Sequence, residues 1–173
     1  MPVIFFVEVY NNMKIRKFRN EDATDVSGVM IEAFSSFLKE RFNAADRKHL
    51  SPENFRKISN MSGKTSETIS YVAEENGRII GYIRGIVTIN GLASLEVVGV
   101  SPDVFHKGVG TLLMEKLEGF CRMKNQRKIC TCVSAHNKRA LIYYIRNGFI
   151  PCGYRKDHFR PGVDEILLDK FLK

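Results

Sequence analysis

The chain has no Lys/Arg run of five or more and no interleaving of aromatic with basic residues, so the patterns that usually hold nucleic acid are missing. Its four cysteines, Cys121, Cys130, Cys132 and Cys152, form no C-x-x-C pair and have no histidine at ligand spacing. A zinc site is therefore not expected, nor any other metal. Cys130 and Cys132 fall on one face of a strand and would not bridge each other. Free thiols in a reducing cytoplasm are the expected state. Long hydrophobic runs are also lacking. The apolar opening VIFFVEVY is too short to span a bilayer and has no basic n-region of a signal peptide, which points to a cytoplasmic protein with no membrane partner. No Gly-Lys-Ser/Thr follows a glycine loop, which excludes a P-loop. The third glycine of a dinucleotide fingerprint is missing too, as are βαβ units on its N-terminal side.

What is present is enough for one domain. A chain of 173 residues with 44% hydrophobic content buries about two-thirds of its unfolded surface. Residues 1–12 read as an N-terminal extension and 13–173 as the domain itself. The net charge of +8 favours an anionic partner, whether nucleic acid, anionic lipid, an acidic protein or a polyphosphate cofactor. The missing basic runs make nucleic acid the minority choice.

Ser94 to Thr111, SLEVVGVSPDVFHKGVGT, organises the rest. Leu95 to Val100 is rich in β-branched residues and reads as a buried strand, ended by Pro102 and Asp103. Gly108 and Gly110 follow. From Val109 the apolar positions Leu112, Leu113, Leu117, Phe120 and Cys121 recur at helical spacing. A loop that delivers its backbone into a helix N-terminus aims free N–H groups and the positive dipole end at a ligand, and phosphate is the natural occupant. Lys107 adds a point charge.

Around this stretch the elements are local. Ile15 to Arg19 reads as the first strand. Asn20 or Asp22 then caps a helix with Val26, Val29, Met30, Ala33, Phe34 and Phe37 on one face. Leu38 to His49 is charged and irregular, and Ser51-Pro52 starts another helix. Asn60 to Glu67 is a loop. Thr68 to Ala73, Ile79 to Ile89 and Leu92 to Val100 form antiparallel strands, with Asn76-Gly77 and Asn90-Gly91 as type I′ turns. Lys128 to Val133, KICTCV, is a strand parallel to its neighbour. Asn137-Lys-Arg-Ala-Leu-Ile-Tyr-Tyr-Ile-Arg-Asn-Gly-Phe149 is a helix capped by Asn137 and stopped at Asn147-Gly148. Phe149 to Tyr154 and Asp164 to Leu172 close the chain as a hairpin with His158 to Gly162 at its tip.

The Pro102-Asp103, Lys107-Gly108, Gly110 and Leu112-Leu113 pattern, the strand KICTCV and the N-x-x-A-x-x-Y-Y-x-x-x-G-F helix together resemble the Gcn5-related N-acetyltransferase (GNAT) superfamily, over Leu95 to Phe149. The match departs from the family at Phe105, usually Gln or Arg, and at His106, commonly Gly. The resemblance implies an α/β (α+β) GNAT fold: a mixed central sheet of six to seven strands, flanked by about four helices and splayed between strands four and five. It implies acetyl-CoA as cosubstrate. Backbone groups of Val98, Gly99 and Val100 would hold the pantetheine arm, with an oxyanion donor near Val98. Phe105, His106, Lys107, Gly108, Val109, Gly110 and Thr111 would hold the pyrophosphate, with Asn137 and Ala140 as further contacts. Tyr144 matches the family's acid for the coenzyme A sulfur, while Tyr143 packs.

The acceptor amine must lose a proton before it attacks. Glu96, a carboxylate on a largely apolar strand, is the base candidate, acting through a water; His136 and His158 are weaker ones. The expected activity is acetyl transfer from acetyl-CoA to a primary amine by direct attack in a ternary complex. The acceptor is a small molecule or a protein. Protein N-terminal, ribosomal-protein-like, or lysine acetylation is the alternative, and a non-catalytic acyl-CoA-binding regulatory module is the alternative of another class. In ribosomal-protein acetyltransferases a Tyr-Tyr pair stands where this chain has His158-Phe159, and often a Glu where it has Cys132. The sequence leaves a homodimer open, through the N-terminal strand or the closing hairpin.

Overall fold

A computed structural model describes residues 12–59 and 61–172. Its strands are β1 (Met13–Lys17), β2 (Ser66–Glu75), β3 (Arg78–Thr88), β4 (Leu92–Val100), β5 (Lys128–Ser134), β6 (Ile150–Arg160) and β7 (Val163–Phe171). The helices are α1 (Ala23–Leu38), α2 (Ala44–His49), α3 (Pro52–Ile58), α4 (Val109–Met123) and α5 (Lys138–Arg146). One seven-stranded sheet runs β1-β2-β3-β4-β5-β7-β6. Its neighbours are antiparallel except β4 and β5, which are parallel. The strand-helix-strand passage through α4 requires that exception, and the sheet is mixed as expected.

Alternation along the strands sorts apolar side chains to two faces. On one, Ile80, Ile83, Leu95 and Ile129 pack with Leu113, Leu117 and Phe120 of α4 and with Tyr144 of α5. On the other, Val72, Ile79 and Tyr82 pack with Val26 and Met30 of α1 and Phe55 of α3. Close approach explains three glycines. A Cβ at Gly85 would lie 2.8 Å from Leu117, one at Gly81 3.0 Å from Leu113, and one at Gly99 2.7 Å from Met30. Helices therefore seat on the middle of the sheet from both sides, and side chains there would push them off.

Two irregularities shape the centre. Between β3 and β4, Arg84 pairs with Val97 and Gly85 with Leu95, so Glu96 is an extra residue, a β-bulge. The parallel ladder of β4 with β5 holds only Leu92 with Lys128, Ala93 with Ile129 and Ser94 with Cys130. Beyond Ser94 the two strands part.

Several local readings need correction. Asn76 and Gly77 are both left-handed (φ 51° and 80°), as a type I′ turn requires. At Asn90-Gly91 only the glycine is left-handed (φ 78°), and its N–H meets the Thr88 carbonyl at 3.4 Å. That turn is a three-residue loop with a G1 bulge. Within the charged stretch before His49, Asn43 caps the short helix α2 through the N–H groups of Ala45 and Asp46, an arrangement its polar composition hid. Asp22 does not cap α1 with its side chain; it accepts from Arg16 at 2.7 and 2.8 Å and from the Arg19 N–H at 2.7 Å. The closing hairpin is longer than expected and turns at Pro161-Gly162. Residues 1–11 of the extension lie outside the described residues, as does Asn60 in its loop.

Burial opposes ionisation of Asp22, but the Arg16 hydrogen bonds and the Arg19 N–H outweigh it and hold the carboxyl below its ordinary value. The folded state thus gains stability from this carboxylate above its unfolded pKa and loses it as pH falls. Asp22→Asn should lower stability at pH 7 by about 2–3 kcal/mol, less at pH 3, in urea unfolding followed across that range.

Candidate active site

The parting of β4 from β5 leaves a V-shaped gap whose inner edges carry unpaired backbone groups. A strand residue aims its N–H and C=O to one side and the next residue to the other, so alternate residues of Val97–Val100 present both to the gap. At its vertex the Thr131 hydroxyl donates to the Leu95 carbonyl at 3.0 Å, closing the seam where the ladder ends.

The glycine loop follows β4 directly. Ser101 is fully buried and ties the start of the loop to its surroundings: its hydroxyl donates to Glu32 of α1 at 3.0 Å and accepts from Arg78 at 3.2 Å. Pro102–Val104 makes a turn of 3-10 helix. Within the loop the Phe105 N–H is used by the Pro102 carbonyl and the Lys107 N–H by Val104. Among the described residues, the N–H groups of His106, Gly108, Val109, Gly110 and Thr111 meet no backbone acceptor. These five donors crowd the N-terminus of α4, the arrangement that binds an anion. His106 takes φ 66° and Gly108 φ 77°, so the loop keeps a glycine-like path even where the residue is histidine.

Helix α5 fastens this loop from the far side. Its N-cap Asn137 accepts from the Ala140 N–H at 3.0 Å, and Gly148 stops it at φ 82°. Tyr143 donates its hydroxyl to the Gly110 carbonyl at 2.7 Å and lays its ring where a Gly110 Cβ would stand, 3.1 Å away. Tyr144 is buried and turned toward Thr131 at the vertex. Burial pushes its phenol up to about 12, opposed by its hydrogen bond with Thr131.

Cys132, the residue after Thr131, lies on the opposite face of the sheet. Burial, then the neighbouring Glu165, pushes its thiol up to about 11, and the Glu96 charge acts on it as well. Glu96 is exposed and accepts from the Ser94 hydroxyl at 2.6 Å. Glu165 of β7 is 6% exposed and hydrogen-bonded to Cys132. His158 and Arg155 of β6 stand beside it, whereas His136 sits in the short loop before α5. A cleft of about 390 Å³, lined by Arg41, Asn43, Pro161, Gly162 and Val163, opens between the loop after α1 and the tip of the closing hairpin.

The family model described as "Acetyltransferase (GNAT) family" matches residues 31–149, well over half of the chain. The chain belongs to the GNAT acetyltransferase family. An uncharacterized N-acetyltransferase of Methanocaldococcus jannaschii is 26% identical over 152 residues, covering 83% of this chain and 64% of that protein. This chain thus spans less than two-thirds of the length of that relative. Two solved GNAT structures share the fold. The PaiA N-acetyltransferase of Thermoplasma acidophilum, in complex with coenzyme A, has a TM-score of 0.76 at 21% identity, over 92% of this chain and 98% of that one. The ribosomal-protein-S18-alanine N-acetyltransferase of Escherichia coli has a TM-score of 0.73 at 18% identity, over 93% and 94%.

Against this GNAT frame, three side chains at the site escaped the sequence reading. Thr131 and Glu165 come together with Tyr144 and Cys132 only through strand pairing, which motif spacing does not reveal. Arg139 is the third: its guanidinium lies 3.7 Å from the centre of the Phe105 ring. The N-x-x-A frame contained that cation, but only the stacking shows that it reaches the loop. Tyr143→Phe should cost about 1 kcal/mol of stability and speed amide exchange selectively in the first turn of α4, as hydrogen-exchange mass spectrometry would show.

Proposed function

We propose that this chain transfers an acetyl group from acetyl-CoA to a primary amine by direct attack in a ternary complex. The observation that carries the reading is the unsatisfied loop at Gly108–Thr111 standing beside a split sheet with Tyr144 at its vertex. The pyrophosphate takes the free N–H groups of His106 and of Gly108 to Thr111, with Lys107 adding charge. Arg139, stacked on Phe105, supplies the cation that the loop itself lacks at that position. The pantetheine amides pair with free ladder groups at Val98 to Val100, and Asn137 and Ala140 border the arm from α5.

The thioester then lies near the bulge, with a backbone N–H at Val98 as oxyanion donor. Tyr144, whose phenol stays protonated throughout the physiological range, donates to the departing thiolate. The amine approaches from the other face, where Glu96 and Cys132 stand. The coenzyme A complex of the Thermoplasma acidophilum relative supports the cosubstrate. A peptide α-amine is the second reading for the acceptor, favoured by the likeness to the Escherichia coli ribosomal-protein enzyme and by the long closing hairpin beside the cleft.

Isothermal titration should give micromolar-range binding of acetyl-CoA to the wild type and none to Gly108→Asp, whose side chain would need a left-handed backbone and would place a carboxylate among the phosphate donors. Arg139→Ala should weaken binding several-fold, most at low salt. Thiol release with a panel of amines should show Tyr144→Phe slower by on the order of 10²-fold in kcat with little change in the KM for acetyl-CoA. A wild type that binds no acetyl-CoA would overturn the reading. One that binds it but turns over no amine would leave an acyl-CoA-sensing module in its place.

A further inference from the structure

Three carboxylates are buried among the described residues: Asp22, Glu118 and Glu165. Asp22 is held by Arg16 at 2.7 Å, and Glu118 by Lys170 and by Arg122 at 3.3 Å. Glu165 differs. No described Lys, Arg or His lies within ion-pair distance of it, and its hydrogen bond runs to the Cys132 thiol. Removing a carboxylate from water without a cation is costly, so the site is maintained against a stability penalty.

Its place in the sheet gives the penalty a use. Glu165 pairs with Ser134 across β5 and β7, and Cys132, two residues back, shares that face. Thr131, the residue before Cys132, turns to the opposite face, toward Tyr144. Cys132 feels both Glu165 and Glu96, so it sits between the carboxylate on β7 and the one at the β4 bulge. The remaining charges around Glu165 are on β6: His158, which acts on it, and its register partner Arg155, which donates to His158 Nε2 at 2.9 Å and whose charge also reaches Cys132. Glu165 and Tyr144 thus stand beside β5 on opposite faces of the sheet, and the charge of Glu165 acts on Tyr144.

Resting on the acetyltransferase reading, we propose that Glu165 takes the proton from the acceptor ammonium, directly or through one water, and that exposed Glu96 serves to attract the cation. In the step, R-NH3+ gives one proton to the Glu165 carboxylate. The freed amine attacks the thioester carbonyl carbon, the C–N bond forms, and the C–S bond breaks with its electron pair on sulfur. Tyr144 gives its proton to the sulfur, the second proton of the attacking nitrogen returns through water to the Tyr144 phenolate, and Glu165 later releases its proton to solvent. Burial raises the Glu165 carboxyl above its ordinary value, which suits a base working near neutrality.

The test uses the full chain, saturating acetyl-CoA and two probe amines: n-propylamine, which is protonated at pH 7, and 2,2,2-trifluoroethylamine, which is largely unprotonated there. Glu165→Gln should slow acetylation of n-propylamine by on the order of 10²-fold while changing that of trifluoroethylamine by about threefold or less. Equal loss with both amines, or no loss with the first, overturns the proposal. So does a wild type that leaves n-propylamine unacetylated, because a minimal ammonium is all the step requires. Carbon-13 NMR of the Glu165 carboxyl should show it titrating above the bulk carboxylates; titration with the bulk overturns the assignment whatever the rates. Thermal melts and acetyl-CoA titration of Glu165→Gln and Glu165→Asp guard against misfolding. Acetyl-CoA binding lost from the wild type sinks the acetyltransferase reading itself, whereas binding kept with Glu165→Gln fully active sinks this assignment alone.

Discussion

The structure depends on a ladder that stops early. β4 and β5 pair through Ser94 and Cys130 and no further, so two strands in the middle of a sheet expose backbone groups that a continuous sheet would have satisfied. Such a gap collapses unless each bank is held from outside. β4 is held by its antiparallel pairing with β3 and by α1, which seats on Gly99; β5 is held by β7 along its whole length. Thr131 then clamps the vertex through the Leu95 carbonyl. With both banks held from outside, the gap stays open as a slot, and a ligand with amides of its own can pair with its edges.

The same logic runs through the loop that follows. Anion sites at helix ends need donors held apart with nothing to quench them. Here Ser101, bound to Glu32 and Arg78, anchors one end, and Tyr143 pins Gly110 from α5 at the other. The adjacent tyrosines therefore divide two tasks about a turn of helix: Tyr143 shapes the loop and Tyr144 faces the vertex. One residue of rotation, about 100°, separates the tyrosine that pins the loop from the one proposed to act at the thioester.

How much of this could be read from the chain follows from how far each signal reaches. The loop and the α5 helix are local: Gly108, Gly110, Asn137 and Gly148 declare themselves by residue type, and the structure puts Gly108 at the left-handed N-cap of α4, Asn137 at the N-cap of α5 and Gly148 at its left-handed stop. The mixed sheet was legible for the same reason, from Asn76-Gly77 and from the strand-helix-strand passage through α4. Side chains joined by pairing of distant strands were not. Glu165 is thirty-odd residues from Cys132 in sequence, and no periodicity announces that β7 inserts between β5 and β6. Arg139 was passed over because a basic residue near a helix start is ordinary until its guanidinium is seen against Phe105. The misread turn at Asn90 shows the limit of dipeptide signals, since loop length and the bulge decided it.

Acetyl-CoA is proposed to sit in the slot between β4 and β5, with the loop at its end. Hydrogen-exchange mass spectrometry with and without acetyl-CoA tests it most directly, because it reads backbone donors, the groups the claim rests on. Bound acetyl-CoA should slow exchange chiefly in residues 97–111, with smaller protection at 137–144 and little change in β1, β2 and α3. Protection centred on α2–α3 or on the closing hairpin, with 97–111 unaffected, would contradict it.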